Sequence, residues 1–288
     1  MRKYLFILFI ILCPDLILSQ NVGIGTDNPS EKLEVEGGIK ADSLDVSSGL
    51  IKNVANPINA QDATTKAYVD SLILELEIAW GNKIQDVEGN VYNIIKIGYE
   101  NGGQVWMAEN LRTTKYNDGT DIGLVTDGTD WGNLMTPGYC YYNNDPEEYS
   151  VPYGALYNYY AVSNIDSNLC PEGWHVPTDA EWTTLTTYLL GPSVAGGKMK
   201  EAGLAHWASP NNGATNASGF TGLPGGYRWP GIGGPFLEIG IYGIWWSSTE
   251  FNTTGEGVWY RRLIYNDDYV DYDYGDEGSG FSVRCLMD

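Results

Sequence analysis

The side chains best able to do chemistry in this chain are four cysteines and two histidines. Cys13 lies in an apolar N-terminal run, which leaves three cysteines beyond it: Cys140, Cys170 and Cys285. In an oxidising compartment, an odd number of cysteines indicates one disulfide and one spare thiol. His206 has no neighbouring Cys or His at metal-ligand spacing, and His175 is expected to pack structurally. Because nucleophile and phosphate-loop motifs are also missing, the sequence offers no support for a hydrolase.

The segment 265–276 is a candidate for ligand binding. It consists almost entirely of Tyr, Asp and Asn and carries no positive charge. On a strand, alternate residues face the same side, so Tyr272 and Tyr274 share one face and the aspartates beside them share the other. Tyrosine supplies contact area at low entropic cost, a property typical of binding surfaces. The alternative is an exposed sheet edge with aromatics packed beneath it. The predicted ligand-binding residues are Tyr265, Asp267, Asp268, Tyr269, Asp271, Tyr272, Asp273 and Tyr274.

Calcium is the only cofactor that the sequence suggests, because oxygen-rich loops are the sites that calcium prefers. The candidate calcium ligands are Asn143, Asn144 and Asp145, and Asp267–Asp268 form a second candidate calcium site. Turn formation and solvation are the alternative explanation for both segments. No other cofactor is expected.

The chain is strongly acidic, with a formal net charge of −21 at pH 7. Such a surface repels nucleic acids and anionic lipid headgroups, so neither is expected as a partner. It suits calcium, basic protein patches or neutral glycans. The alternative is that the charge serves solubility alone.

The first 19 residues have the pattern of a signal peptide. Arg2 and Lys3 precede an apolar run over Tyr4–Leu12, and Ser19 provides a small residue at a plausible cleavage point. The run is too short for a transmembrane helix, which needs about 20 residues. We therefore expect a secreted or cell-surface protein without a transmembrane span.

Residues 20–66 and 67–82 are predicted to form a stalk. Residues 21–35 and 51–70 resemble the shafts and necks of phage tail fibres and bacterial surface fibres. The helix that follows has four apolar residues at coiled-coil spacing: Val69, Leu72, Leu76 and Ala79. Two heptads are too short to form a stable coiled coil alone, so this helix needs support from the flanking fibre segments. We therefore expect a β/coiled-coil stalk that forms a homotrimer. The alternative is a single amphipathic helix packed on the domain that follows.

Aromatic residues are rare before residue 80 and frequent after it, which predicts a compact head domain over residues 83–288. Its first element is a β-hairpin with a turn at Gly89–Asn90. One helix is predicted over 153–161, and another begins at Thr178, where Glu181 completes a capping box. Long loops over 196–240 precede the final strands: 245–249, 257–264, 269–274 and 281–286. The head is therefore predicted to be α+β, with a small twisted antiparallel sheet, two helices and long loops.

Several ordered motifs in the head resemble those of the Fibrobacter succinogenes major paralogous domain family: Trp106–Leu111, Cys170–Trp182, Leu223–Arg228, Trp246–Thr249 and Gly280–Cys285. The resemblance implies a fold akin to the C-type-lectin-like and formylglycine-generating-enzyme fold. It also implies a disulfide between Cys170 and Cys285. Cys140 is then left as a buried or unpaired thiol, with pairing to another chain as the alternative.

The resemblance constrains function less than fold. Formylglycine-generating enzymes use two thiols to bind copper, and with Cys170 and Cys285 paired only Cys140 remains, so we do not expect an enzyme. The sugar-binding motifs of calcium-dependent lectins are also missing from the sequence. We expect a surface-associated protein that recognises a glycan or protein ligand through loops between Gly196 and Asp276. A structural fibre cap without a ligand and a formylglycine-generating-type oxidase are the alternatives.

Overall fold

The computed structural model describes residues 22–24, 33–35, 82–98, 103–164, 166–251 and 257–288. The chain divides into two compact units, residues 1–68 and 69–288. In the first unit, two short strands, β1 (Val22–Ile24) and β2 (Leu33–Val35), pair in parallel. The predicted signal peptide and all but the last residue of the predicted coiled-coil helix lie outside the described residues.

The largest sheet of the second unit contains both ends of the head. Its strands are β3 (Lys83–Gln85), β4 (Val91–Ile97), β5 (Gln104–Met107), β9 (Trp174–His175) and β15 (Leu286–Met287), in the order β3-β4-β5-β15-β9. The predicted hairpin is present, but its first strand begins earlier, at Lys83, and its turn spans 86–90. The Asp86 carboxylate closes this turn by accepting from the Glu88 and Asn90 N–H groups at 3.0 and 2.9 Å. This short local turn sets the register of the hairpin.

Three smaller sheets complete the head. The first contains β6 (Gly123–Leu124), β7 (Gly138–Cys140) and β8 (Leu156–Tyr157), and the second pairs β10 (Gly225–Arg228) with β11 (Phe236–Ile239). The third is an antiparallel sheet of β12 (Tyr242–Glu250), β13 (Val258–Ile264) and β14 (Val270–Gly275), with β13 in the centre. This third sheet contains the final predicted strands except the last, 281–286, of which only Leu286 lies in a strand, β15.

The helices are few and short: α1 (Gly128–Gly132), a 3-10 helix (Tyr142–Asn144), α2 (Pro146–Tyr153), α3 (Tyr159–Val162), α4 (Asp179–Tyr188) and α5 (Pro192–Met199). The capping box of α4 is confirmed, since the Thr178 side chain accepts from the Glu181 N–H while Glu181 accepts from the Thr178 N–H. Trp182 and Leu185 are buried, as the helix pattern predicts. Among the described residues, no helix combines the length and the apolar character needed to cross a membrane.

Two predictions about local structure were wrong. Residues 153–161 do not form one helix, because Gly154 has a φ of 76°, where a right-handed helix cannot continue, and Leu156–Tyr157 form a strand instead. The stretch 196–240 is not all loop, because α5 extends into it from Pro192 to Met199 and the strands β10 and β11 lie within it. Proline is well suited to the first turn of a helix, so Gly191-Pro192 ends one helix and starts another.

The core of the head contains several buried indole rings, and most of their N–H donors have partners, although the buried N–H of Trp131 has none. Trp106 packs on Trp182 with ring centroids 4.7 Å apart, and Phe220 meets both rings edge-on. The indole N–H of Trp245 donates to Asn110 at 2.8 Å, and that of Trp246 to the Tyr157 carbonyl at 2.8 Å. Because a buried indole without a partner would cost free energy, these bonds specify one arrangement of the rings.

The disulfide that the resemblance implies is present. Cys170 and Cys285 are joined with their Cα atoms 6.0 Å apart, and the bond closes a loop of 115 residues. Both cysteines are fully buried. The bond ties the segment that leads into α4 to the C-terminal end of the head.

Three of the four buried cations among the described residues hold irregular segments in place: Lys200, Arg228 and Arg284. Arg228 donates to the carbonyls of Val125, Thr126 and Gly234. Lys200 donates to the carbonyls of Asn212, Ile264 and Asp267, at 2.8, 2.9 and 2.6 Å. Loops buried in this way need donors for their carbonyls, and a cation with several N–H groups can serve several carbonyls at once.

Candidate functional site

One face of the β12-β13-β14 sheet carries a cluster of partly exposed aromatic rings. Trp259 and Tyr274 are directly opposite each other on β13 and β14, and Tyr272 follows on the same face. Phe251, just beyond β12, stacks on Tyr274 with ring centroids 3.9 Å apart and planes 12° apart. Tyr272, Tyr274 and Phe251 are 52%, 47% and 37% exposed. We call Phe251, Trp259, Tyr272 and Tyr274 the aromatic cluster.

A cavity of about 410 Å³ lies beside this cluster. Trp259 and Tyr272 contribute its aromatic surface, and α4 contributes threonines, among them Thr183 and Thr187. Its volume falls in the range of about 300–1,000 Å³ that is usual for small-ligand sites. We call it the aromatic cavity.

An ion pair lines the same cavity. The Arg261 guanidinium, of which only 4% is exposed, lies 2.7 Å from Asp179 Oδ1. It also donates to the Asp179 carbonyl at 3.2 Å and to the Thr183 hydroxyl at 3.4 Å, and it lies 5.4 Å from the centre of the Tyr272 ring. These contacts fix the first turn of α4 against β13. About one third of the Asp179 side chain is exposed and faces no other cation among the cavity's lining residues.

The opposite face of the sheet carries the predicted aspartates. Asp271 forms an ion pair with Arg262, whose guanidinium lies 5.2 Å from the centre of the Tyr242 ring. Burial lowers the pKa of Arg262, but the hydrogen bond to Asp271 together with the charges of Tyr260, Asp271 and Tyr242 outweighs this effect, so the pKa is raised. Asp273 is exposed on the same face. The tyrosines and the aspartates of β14 therefore lie on different faces, as the alternation predicts, and do not form one site.

The remaining predicted ligand residues, Tyr265, Asp267, Asp268 and Tyr269, belong to the turn before β14. Asp267 accepts from the Tyr269 N–H at 3.0 Å, which shapes the turn, and Tyr265 packs partly on the core. The Asp268 carbonyl accepts from the Gly197 N–H at 3.1 Å. A side chain at Gly196 would come within 2.4 Å of the Tyr269 carbonyl, so glycine is required for α5 to lie on this turn. These residues hold the strand in position.

The predicted calcium residues have structural roles in the fold. Asn143 and Asn144 have φ values of 51° and 58°, a conformation that asparagine tolerates well in turns. The Asp145 carboxylate caps α2 by accepting from the N–H groups of Glu147 and Glu148 at 3.0 and 3.1 Å. Within the described ranges, no group of three or more His, Cys, Asp or Glu side chains could hold a metal ion. Calcium binding here remains a prediction.

Cys140 is buried, and both histidines contact carboxylates. Cys140 is free and fully buried, and burial raises the pKa of its thiol to about 12, against a smaller opposing effect of Arg228. A buried sulfur offers no surface to another chain, which disfavours intermolecular pairing. The His175 ring bridges Asp288 and Glu181 at 2.6 and 3.0 Å, and His206 contacts Glu201 at 2.8 Å. His175 thus has a structural role.

Sequence reasoning missed part of the site: Phe251, Trp259, Arg261, Asp179, Thr183 and Thr187. Two signals could have found most of these residues. Trp259 and Arg261 alternate on a predicted strand and therefore share a face. Asp179, Thr183 and Thr187 are spaced by four residues on α4, which places them on one stripe of the helix. The site also extends beyond the predicted range of 196–276, because α4 precedes it.

These elements define an α+β domain with few helices and curled antiparallel sheets, in which one disulfide joins Cys170, near the middle of the domain, to Cys285, near its end. Residues 99–287 match the family model of the Fibrobacter succinogenes major domain. The chain therefore belongs to this family, as its sequence motifs indicate. No curated protein and no solved structure is significantly similar to it.

Proposed function

We propose that the protein is exported and surface-associated, and that its head recognises a glycan or protein ligand on another surface. The observation that supports this function best is the aromatic cluster beside the aromatic cavity. Aromatic side chains of this size are usually buried, and their partial exposure next to a concave surface is typical of a binding site. The acidic surface of the whole protein favours neutral or basic ligands over acidic ones.

The head is proposed to have a C-type-lectin-like fold and to stand on a β/coiled-coil stalk that forms a homotrimer. Three heads on one stalk would bind a repetitive surface with higher avidity than a single head. Sedimentation equilibrium of the purified protein tests the stalk. We expect a trimer, and a monomer at micromolar concentration would contradict the stalk and the avidity argument.

The protein is proposed not to be an enzyme of the formylglycine-generating type. Cys170 and Cys285 are joined to each other and Cys140 is buried, so the described residues offer no pair of thiolates for copper. A structural fibre cap without a ligand is the second candidate. It is supported only by the resemblance of residues 21–35 and 51–70 to fibre segments.

A binding assay with a matched control tests recognition. The full-length protein is passed over immobilised neutral polysaccharides, mucin, fibronectin and collagen, with calcium and with EDTA. The variant Tyr272→Ala/Tyr274→Ala removes two exposed rings, and Asp273→Ala removes an exposed side chain on the opposite face of the same strand. We expect binding to at least one surface that the tyrosine variant loses and Asp273→Ala keeps. Equal binding by both variants, or no binding to any surface, would overturn the proposal.

A further inference from the structure

The aromatic cavity has two chemically different kinds of lining. Trp259 and Tyr272 present ring surfaces, whereas Thr183, Thr187 and Asp179 present oxygen atoms. The Thr187 hydroxyl donates to the Thr183 carbonyl at 2.8 Å, which leaves its oxygen free to accept from a ligand. A ligand that satisfies both linings must therefore have an apolar face and a polar edge.

Charge narrows the choice of ligand further. The net charge of −21 disfavours anionic ligands at long range. A cationic ligand would compete with the Arg261 guanidinium, which already lies over the Tyr272 ring at 5.4 Å and pairs with Asp179 at 2.7 Å. The charges that line the cavity thus compensate each other, and a neutral ligand fits them best.

We infer that the aromatic cavity binds a neutral pyranose unit of a glycan. A pyranose ring has one face of C–H groups and an edge of hydroxyl groups. The C–H face would stack on Trp259 and Tyr272, where the negative face of an aromatic ring attracts polarised hydrogens. The hydroxyl edge would meet Thr187, Thr183 and the exposed part of Asp179. This inference rests on the proposed function, since it names the ligand class of the same site.

The size of the site favours a sugar over a folded protein partner. A stable protein interface buries about 800 Å² on each side, mostly on a broad surface. Here the candidate surface is a single cavity of about 410 Å³ beside four rings. A site of this volume suits one or two sugar rings, and the rest of a longer glycan can extend along the exposed Tyr272 and Tyr274.

Calorimetric titration of the full-length protein tests the inference. The probes are cellohexaose, maltohexaose, mannohexaose and chitohexaose, with oligogalacturonate as the anionic probe. We expect at least one neutral hexasaccharide to bind and oligogalacturonate not to bind. Trp259→Ala should weaken binding at least about tenfold, since it removes a stacking surface. Trp229→Ala is its control, because Trp229 is 49% exposed and does not line the cavity.

A second pair of variants keeps the test valid if Trp259→Ala does not fold. Thr187→Val and Thr184→Val change the same residue type on the same helix. Both hydroxyls are exposed and donate to the carbonyl four residues earlier, at 2.8 and 3.0 Å, but only Thr187 lines the cavity. Thr187→Val should weaken binding about fivefold, the effect of one hydrogen bond. Thr184→Val should bind like the wild type.

The possible results separate a failure of the sugar inference from a failure of the proposed function. Failure of all four neutral probes, equal binding of oligogalacturonate, or equal effects of Thr187→Val and Thr184→Val would overturn the inference. If fibronectin or collagen binds instead, and Trp259→Ala abolishes that binding, the proposed function stands and the sugar inference is wrong. If replacements in the aromatic cluster leave binding to every surface unchanged, both the proposed function and the sugar inference are wrong.

Discussion

Replacing Lys200 with methionine should loosen the turn from which the strand β14 starts. Lys200 is fully buried, and its ammonium group donates to the carbonyls of Asn212, Ile264 and Asp267. Burial lowers its pKa to about 8, while Asp267 and Asp268 oppose this effect, so the group remains charged at pH 7. Methionine keeps the length of the side chain and removes all three donors.

The expected loss can be worked out from these three bonds. A buried acceptor that loses its donor costs about 1–3 kcal/mol. The Ile264 carbonyl also accepts from the Asp267 N–H at 3.3 Å, so most of the loss falls on Asn212 and Asp267. Removing a buried charge recovers part of this cost. We therefore expect Lys200→Met to lower the free energy of unfolding by about 3 kcal/mol.

Denaturant unfolding compares this variant with Lys198→Met. Lys198 lies in the last turn of α5, two residues before Lys200, but is only partly buried and donates to one carbonyl, that of Leu189 at 3.0 Å. Its replacement should cost about 1 kcal/mol or less. In hydrogen exchange, the amides of residues 264–269 should exchange faster in Lys200→Met and not in Lys198→Met. Equal stability of the two variants, or unchanged exchange in this turn, would refute the reasoning.

Three further predictions concern the rest of the head. Replacing Cys170 and Cys285 with alanine should lower the free energy of unfolding by about 4–5 kcal/mol, the chain-entropy value for a closed loop of 115 residues; a loss below about 1 kcal/mol in denaturant titrations would contradict it. Burial raises the pKa of Glu181, but the hydrogen bonds from Thr178 and His175 together lower this pKa below its usual value of 4.5. The stabilising effect of the Glu181 carboxylate is therefore present above pH 4.5 and lost as the pH falls through the pKa in the folded state. Glu181→Gln should lower the free energy of unfolding by about 1 kcal/mol at pH 7 and by less in acid. A difference between the two proteins that stays constant with pH would exclude this role. Cys140 should resist iodoacetamide in the folded protein and react after unfolding, as mapped by mass spectrometry; labelling in the native state would show that the thiol is accessible.

The sequence predicted the parts of the fold that are determined locally. The capping box at Thr178 and Glu181 is confirmed because all its atoms lie within one helical turn. The hairpin near Gly89 is confirmed for the same reason, although its first strand starts three residues earlier than the predicted segment. The disulfide followed from family motifs, since no local pattern links positions so far apart.

The parts that could not be predicted depend on contacts between distant segments. The helix predicted over 153–161 is broken because Leu156 and Tyr157 pair with β7, a partner that periodicity cannot reveal. Likewise, the alternation in 265–276 correctly separated the tyrosines of β14 from its aspartates. It could not show that the tyrosines lie beside Trp259 and face the threonines of α4, because this depends on how the helix packs on the sheet.

The location of a bound glycan tests the central claim most directly. A crystal structure of the protein with the tightest-binding neutral hexasaccharide should show one sugar ring in the aromatic cavity. We expect its C–H face on Trp259 or Tyr272 and its hydroxyls near Thr187 and Asp179. A sugar bound elsewhere, such as beside a calcium ion at Asn143–Asp145, with the aromatic cavity unoccupied at saturating ligand, would contradict the account.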